Sequence, residues 1–333
     1  MAMVAKTAGV SRSTVSNVIN APHRVRPQTR QRVEAVIAET GFRPLKAAQM
    51  LRTQRSHLIA VVIPPRRTRG NELHNDFLHA LTERAQQAGY RILLFTAVGD
   101  KEEIDAYDQL LNDYTLDAFV LVDTHSRDRR TAWLRRRGVP FVTFGRPWGS
   151  RAAHPWVDVD GAYGVRVATE HLIREGHRRI AFIGWPAGND VGDDRCAGWE
   201  QAHKEAGLTV LGPRIEIHGE DSESRAAAAR LLDAPEPPTA FVCVCDGIAL
   251  GVWTEIASRG YTPGTLPPGN GIAVIGFDDT SVAAAIGLAS VAQPVEQVAD
   301  ACVTALGKLL TQGKHTSRDH VLLEPRLVLR GSA

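Results

Sequence analysis

The chain has 333 residues, a formal net charge of +2 and only four cysteines. Its length suits two or three domains with well-filled cores, and the sparse cysteines give no basis for a disulfide framework. No stretch approaches the roughly 18 consecutive apolar residues that a membrane span needs, and the N-terminus lacks the basic, apolar, small-residue order of a signal peptide, so a cytoplasmic protein is expected.

The charge is unevenly spread. Residues 1–56 carry ten basic groups against Glu34 and Glu39, a net of +8, which leaves −6 for the remainder. A basic head on a mildly acidic body implies a polyanion partner for the head alone.

Three short helical patterns fill this head. The first, around Val4 to Ala8, stops at Gly9, a residue free to adopt the left-handed conformation of an interhelical turn. Ser11 is placed to cap the second. There Val15, Val18 and Ile19 fall at i, i+3 and i+4 in one apolar stripe, leaving Arg12, Ser13, Ser16, Asn17 and Asn20 on the outward faces. A third pattern starts with Pro27 and runs through Val33, Val36 and Ile37 to Gly41. The segment RPLKAAQMLRTQRS, residues 43–56, reads as a linker able to form one or two helical turns, too short and polar for a stable isolated helix.

A helix, a glycine-containing turn and a second helix with polar groups at its N-terminal end make a helix-turn-helix, whose second helix enters the DNA major groove. There the Arg12 guanidinium suits guanine, Asn17 suits a base edge, and Ser13 and Ser16 suit bases or phosphates. An ordinary solvated amphipathic helix would show the same stripe. The +8 head favours the DNA reading.

From Leu58 the pattern changes to short apolar strands alternating with amphipathic helices. The strands read LIAVVIP, RILLFT, AFVLVD, PFVTFG, RIAFIG, AFVCVC and IAVIGF, with helical stretches such as FLHALTERAQQAGY and RVATEHLIREGH between them. This alternation predicts parallel sheets covered by helices on both faces. A body of this size implies two doubly wound subdomains with a cleft between them. Cys243 and Cys245 lie inside a buried-strand pattern and read as reduced small hydrophobes, with no neighbouring His or cysteine pair to complete a zinc site.

Clefts of this kind bind small molecules at the carboxyl ends of strands. Asp123 closes AFVLVD, Arg146 follows FVTFG, Asp246 follows AFVCVC, Asp278 follows AVIGF, and Trp185 directly follows RIAFIG. A flat indole packs on the apolar face of a pyranose while its N–H meets a hydroxyl. Trp148 and Trp156 carry the same potential, with core packing the equal alternative for each. Catalysis is disfavoured: GNGIAVIG fails the dinucleotide glycine spacing, and neither a phosphate loop nor a G-x-S-x-G elbow is present. A pure solute-binding protein would need export and has no use for the basic head.

At this point the sequence resembles the lactose-repressor and galactose-repressor family of bacterial transcriptional regulators. AGVSRSTVSNVIN at 8–20, VRPQTRQRVEAVIAETGFRP at 25–44 and KAAQMLR at 46–52 match the family's head and hinge. DVDGAYGVRVATEHLIREGHRRIAFIG at 158–184, DRCAGWEQAHKEAG at 194–207, CDGIALG at 245–251 and IAVIGFDD at 272–279 continue the match through the body. The resemblance implies a small all-α helix-turn-helix head and an α/β periplasmic-binding-protein-like body of two doubly wound parallel-sheet subdomains. The domains expected are a DNA-binding domain at 1–43, a hinge at 44–56 and an effector-binding and dimerisation domain at 57–333. Within the last, one subdomain takes about 57–158 and 293–321 and the other about 159–292 and 322–333.

It further implies a homodimer on a near-palindromic operator, nucleoid-associated, with hinges that fold on DNA and a leucine, here Leu51 flanked by Ala47 and Ala48, that opens a central base step. The DNA-contacting set expected is Ser11, Arg12, Ser13, Thr14, Ser16, Asn17, Asn20, Arg24, Arg26, Thr29, Ala47 and Leu51. For the effector it implies Arg195 and Asp278, with Asn75 and Phe77 on the first body helix and Gln293 at a subdomain crossover, joining Asp123, Arg146, Trp185 and Asp246. No cofactor or metal is expected. The effector expected is a mono- or oligosaccharide, the alternatives being a purine or a protein co-regulator acting on the same architecture.

Three departures stand out. The chain begins almost inside the first helix, without the usual cap and with Met3 where an acidic residue is common, so an upstream start or a frayed helix is expected. Arg26 stands where the family caps the third helix with Ser, and Cys245 where many relatives have Asn. Dimerisation is assigned to the apolar helix QVADACVTALGKLL, residues 297–310, and no coiled-coil tail follows Arg330 to make a tetramer.

Overall fold

The computed structural model describes residues 1–42, 55–63, 72–149, 154–210, 212, 214–219, 222–264, 271–312 and 319–333. The chain divides into two compact units, Met1–Ser56 and His57–Ala333.

In the first unit α1 (Ala2–Ala8), α2 (Arg12–Asn20) and α3 (Pro27–Thr40) follow in order, with a short 3₁₀ turn at Pro22–Arg24 before α3. Gly9 ends α1 at φ 62°, where a Cβ would strain the backbone, and its N–H closes back on the α1 carbonyls. Ser11 caps α2, its Oγ accepting from the Thr14 N–H at 3.1 Å. Val4, Ala5, Ala8, Val15, Val18, Val33 and Val36 meet in one small buried core. Ile19 and Ile37 pack at its margin. Met1 and Arg26 stand at the N-cap positions of α1 and α3 and give no side-chain cap, so neither helix has the first-turn amide satisfaction that Ser11 gives α2.

The second unit holds two sheets. The first has six strands: β1 (Leu58–Ile63), β2 (Arg91–Thr96), β3 (Ala118–Leu121), β4 (Phe141–Phe144), β5 (Trp156–Val159) and β12 (His320–Leu323). Their spatial order is β12-β5-β4-β3-β1-β2. The second sheet runs β13-β11-β10-β8-β6-β7, with β9 alongside β10. Its strands are β6 (Ile180–Gly184), β7 (Ile215–Glu216), β8 (Ala240–Cys243), β9 (Thr262–Pro263), β10 (Gly271–Phe277), β11 (Ala289–Ala292) and β13 (Arg326–Val328). Every strand pair is parallel except β11 with β13. Central strands such as β3 and β8 are buried along their whole length, as expected where helices cover both faces.

The helices of this unit are α4 (Glu72–Gln87), α5 (Gly99–Asp113), α6 (Arg129–Arg137), α7 (Gly161–Arg174), α8 (Asp190–Glu205), α9 (Ser222–Leu232), α10 (Asp246–Ser258), α11 (Ser281–Ala285) and α12 (Val295–Gln312). The chain passes between the sheets after β5, after β11 and after β12. The pairings Leu322↔Asp158 and Leu323↔Val159 put both strand ends in the first sheet. The last passage therefore falls after Leu323, two residues beyond the expected Val321. Gly198 sets the approach of α7 and α8, since a Cβ there would lie 2.1 Å from the Ala162 carbonyl oxygen.

One expectation is corrected by the packing. The apolar face of α12, with Val298, Ala299, Cys302, Leu306 and Leu309, is buried in the core of the first subdomain and packs beside α4. That face serves its own chain, so it is not free to form a dimer interface. All four cysteines are buried and none forms a disulfide, in keeping with small hydrophobes.

Candidate functional site

The two sheets aim the carboxyl ends of β3, β4, β6 and β10 into one cleft, and each end delivers a polar or aromatic side chain. Asp278 follows β10 with φ 110°, and Asp123 follows β3 with φ 51°. Non-glycine residues held at positive φ are costly and cluster where geometry is over-determined for function.

On the second subdomain, Arg195 of α8 is 6% exposed. Its guanidinium carbon lies 3.6 Å from the Phe277 ring centroid and 5.8 Å from that of Trp185. Nη1 donates to the Val244 carbonyl, and Nη2 stands 3.8 Å from Asp278 Oδ1. Gln293 Nε2 donates to the same Asp278 oxygen at 2.8 Å. Burial raises the Asp278 pKa above the ordinary carboxylate value, although Arg195, Gln293 and His74 all act to lower it.

Across the cleft stands a residue that the strand-end pattern does not predict. His74, in the first turns of α4, places Nε2 3.1 Å from Asp123 Oδ1. Desolvation alone would lower its pKa, but the Asp123 hydrogen bond and the charges of Asp123 and Asp278 outweigh it and raise it. Asp123 shifts the other way: partial desolvation is outweighed by His74, Arg130 and His125, and its pKa falls. Two buried nitrogens of the cleft, His74 Nδ1 and Arg195 Nε, have no hydrogen-bond partner among the described residues.

Around this polar centre the subdomains are tied together. Glu72 Oε1 accepts from the Ser281 N–H at 2.7 Å. Asp190 accepts from the Ser126 N–H at 2.6 Å and the Ser126 hydroxyl at 2.7 Å. Arg146 pairs with Asp158 beside β4 and reaches Asp194 of α8 at 3.4 Å.

Asp123, Arg146, Trp185, Arg195, Asp278 and Gln293 thus converge on the cleft. Asn75 lies exposed in the first turns of α4. Two expected residues are placed differently. Phe77 is 1% exposed and packs on Phe144 with ring centroids 4.8 Å apart, inside the first subdomain's core. It points inward because its place on α4 faces the sheet. Asp246 is 3% exposed and spends both oxygens on the protein, accepting from Ser290 Oγ at 2.6 Å and from the Thr280 N–H and hydroxyl at 2.7 and 3.0 Å. Burial drives its pKa up to about 7 against those hydrogen bonds. Trp156 stacks on His320 at 4.9 Å and belongs to the sheet β5 and β12 share.

In the head, Arg12, Ser13 and Asn17 are exposed along α2, and Thr14 and Ser16 are half-buried. The Ser11 hydroxyl is committed to capping, with the Ser13 and Thr14 hydroxyls 2.7 and 2.8 Å from it. Arg24 and Arg26 are exposed and Thr29 is half-buried. The Asn20 side chain, Ala47 and Leu51 lie outside the described residues.

Comparison with known proteins follows the same division. Residues 1–44 match the model of bacterial regulatory proteins of the lacI family, and residues 169–333 match a periplasmic binding protein-like domain. The transcriptional regulator AglR of Rhizobium meliloti (strain 1021) is 32% identical over 279 residues, 83% of this chain and 76% of that relative. The regulator CelR of Thermobifida fusca is 31% identical over 338 residues, 99% of this chain and 97% of that one. A solved complex of CelR with cellobiose superposes with a TM-score of 0.73 at 29% identity, covering 99% of this chain and 98% of that one. The lac repressor dimer bound to operator and the anti-inducer ONPF gives 0.83 at 25% identity, covering 99% and 97%. A three-helix head with a capped, polar-faced α2, a cleft-forming double sheet and relatives matched along nearly the whole chain agree. The chain belongs to the lacI family of bacterial regulatory proteins, DNA-binding transcriptional regulators rather than enzymes.

Proposed function

We propose that this regulator is a sugar-released repressor: a homodimer that places two heads on the half-sites of a near-palindromic operator and lets go when a small saccharide fills the body cleft. The observation that carries the reading is the facing of two polar sets. A carboxylate, a guanidinium and an amide (Asp278, Arg195 and Gln293) stand opposite the His74–Asp123 pair. Carboxylates accept from vicinal hydroxyls and guanidinium donates to them, charge-assisted bonds stronger than neutral ones. Trp185 supplies an apolar face beside Arg195. The relative solved with cellobiose points to the same class of ligand.

In the head, Arg12 and Asn17 read base edges, Ser13 and Ser16 take bases or phosphates, and Arg24 holds the backbone. The second copy pairs along the edge strand β2, whose exposed Leu94 and the following Val98 form an apolar margin with no further strand of the sheet beyond it among the described residues. Sugar shifts the two subdomains against each other and separates the hinges, which carry Ala47 and Leu51.

Calorimetry with the full-length protein against cellobiose, glucose, ribose and hypoxanthine tests this. Saturable heat from a saccharide, lost on addition to an Arg195→Ala variant that still binds DNA, is the expected result. Heat from the purine alone would overturn it.

A further inference from the structure

Behind the cleft wall, the first subdomain encloses a network of charges that the cleft residues leave unexplained. At its centre is Arg130, in the first turn of α6 and 4% exposed. Nε donates to Asp128 Oδ1 at 3.0 Å and Nη2 to Asp128 Oδ2 at 2.7 Å, a two-pronged pair with the residue that caps α6. Nη1 donates to Glu103 Oε2 of α5 at 2.8 Å, and the other Glu103 oxygen accepts from the buried Tyr107 hydroxyl. One further bond leaves the network: Nη2 donates to the Asp123 carbonyl at 3.0 Å.

Buried ion networks are a weak source of stability, since desolvation of the charges offsets much of their attraction. What this one supplies is direction. The Asp123 carbonyl belongs to the peptide plane that sets ψ at Asp123, and β3 holds the chain before it. At φ 51°, Asp123 is in a conformation that a side chain strains and that persists only where its neighbours enforce it. The same network grips the rest of the loop: Asp100 accepts from the Arg129 N–H at 3.0 Å and stands 2.8 Å from His125 Nε2. The loop so fastened presents the Asp123 carboxylate to His74, 3.1 Å away.

We propose that Arg130 is a positioning residue for the cleft: buried between Asp128 and Glu103, it holds the Asp123 main chain in its left-handed conformation and so places the carboxylate that meets His74 and a saccharide hydroxyl. The proposal rests on reading the cleft as a saccharide site. The guanidinium fork is what suits arginine to the task. A lysine ammonium gathers its three donors at one point and cannot span Asp128, Glu103 and the Asp123 carbonyl together.

A cycle of Arg130→Lys and Asp123→Asn in the full-length protein tests this, Asn being tolerant of the left-handed backbone at 123. It is read by NMR titration of the His74 imidazole, assigned with His74→Gln, and by calorimetry with cellobiose. The charges acting on His74 are those of Asp123 and Asp278; Arg130→Lys alters neither and keeps its own. A merely structural role would lower the melting temperature and leave the His74 midpoint where it is. The expected result is a midpoint that falls in Arg130→Lys, as in Asp123→Asn, with no further fall in the double variant. Cellobiose affinity is expected to drop about tenfold with Arg130→Lys on the native background and by less than about twofold on Asp123→Asn. An unchanged midpoint, or equal losses of affinity on both backgrounds, overturns the proposal. Should Arg130→Lys not fold, Glu103→Gln takes its place by removing the charge that anchors Nη1, and an unmoved midpoint there counts equally against the role. An absence of heat with cellobiose counts against the saccharide reading alone, since the imidazole titration needs no ligand and still decides the role of Arg130.

Discussion

Two aspartates that follow strand ends in the second sheet have opposite duties. Asp246 accepts three hydrogen bonds and closes the junction between α10, α11 and β11. Asp278 accepts one, from Gln293, and otherwise faces Arg195. Asp246→Ala leaves the Thr280 N–H without its acceptor and is expected to cost about 1 to 3 kcal/mol in a denaturant titration. Asp278→Asn keeps the positive φ tolerable and an acceptor for Gln293, so stability holds while saccharide affinity drops about tenfold or more. If calorimetry and melting gave the reverse pattern, the two roles would have to be exchanged. In the head, Arg12→Ala is expected to weaken operator binding by about 1 to 3 kcal/mol and relax one base position, measured by titrating a set of operator variants. An equal loss on random DNA would make Arg12 a phosphate contact. The residue types at these positions were readable from the strand-end rule; the division of labour was not, because it depends on which donors the fold brings within reach of each carboxylate.

At the scale of elements, α4 and α12 carry the lesson. The start of α4 supplies both Glu72, which holds Ser281, and His74, which holds Asp123. The His74 pKa is raised in the folded chain, so its stabilising contribution is fully present below its ordinary 6.5 and is lost as pH climbs through the raised value. Thermal melts from pH 6 to pH 8 should therefore fall more steeply for the native chain than for His74→Gln; parallel slopes would show that the His74–Asp123 pair adds no pH-dependent stability. The periodicity of α12 was legible as an amphipathic helix, yet its apolar stripe was equally consistent with a core and with an interface. Packing assigns it to the core. Leu306→Ala is expected to cost about 2 to 5 kcal/mol without changing the oligomeric state, whereas Leu94→Glu on β2 should yield monomers in sedimentation velocity. A dimer that survives Leu94→Glu would move the interface elsewhere.

For the whole molecule, the proposed switch is bound by linkage. If saccharide weakens operator binding by a given factor, operator must weaken saccharide binding by the same factor, and titrating sugar into the preformed operator complex measures it. Unequal factors would mean that the two ligands do not act through one equilibrium. How much of this was written in the chain follows from the range over which each force acts. Helix stripes, a Ser cap, a Gly turn and unbroken runs such as AFVLVD are local, and from them the head, the central strands and the alternation of a doubly wound body could be read directly. The short strands β5, β11, β12 and β13 could not. WVDV carries an aspartate in its middle and ASVA little hydrophobicity, and they become strands because distant neighbours pair with them as the chain passes between sheets. The same holds for function. The polar residues of the cleft were foreseeable one at a time from their places after strands, but that His74 faces Asp123 and that Phe77 turns into the core are consequences of side chains far apart in sequence meeting in space, which no local pattern encodes.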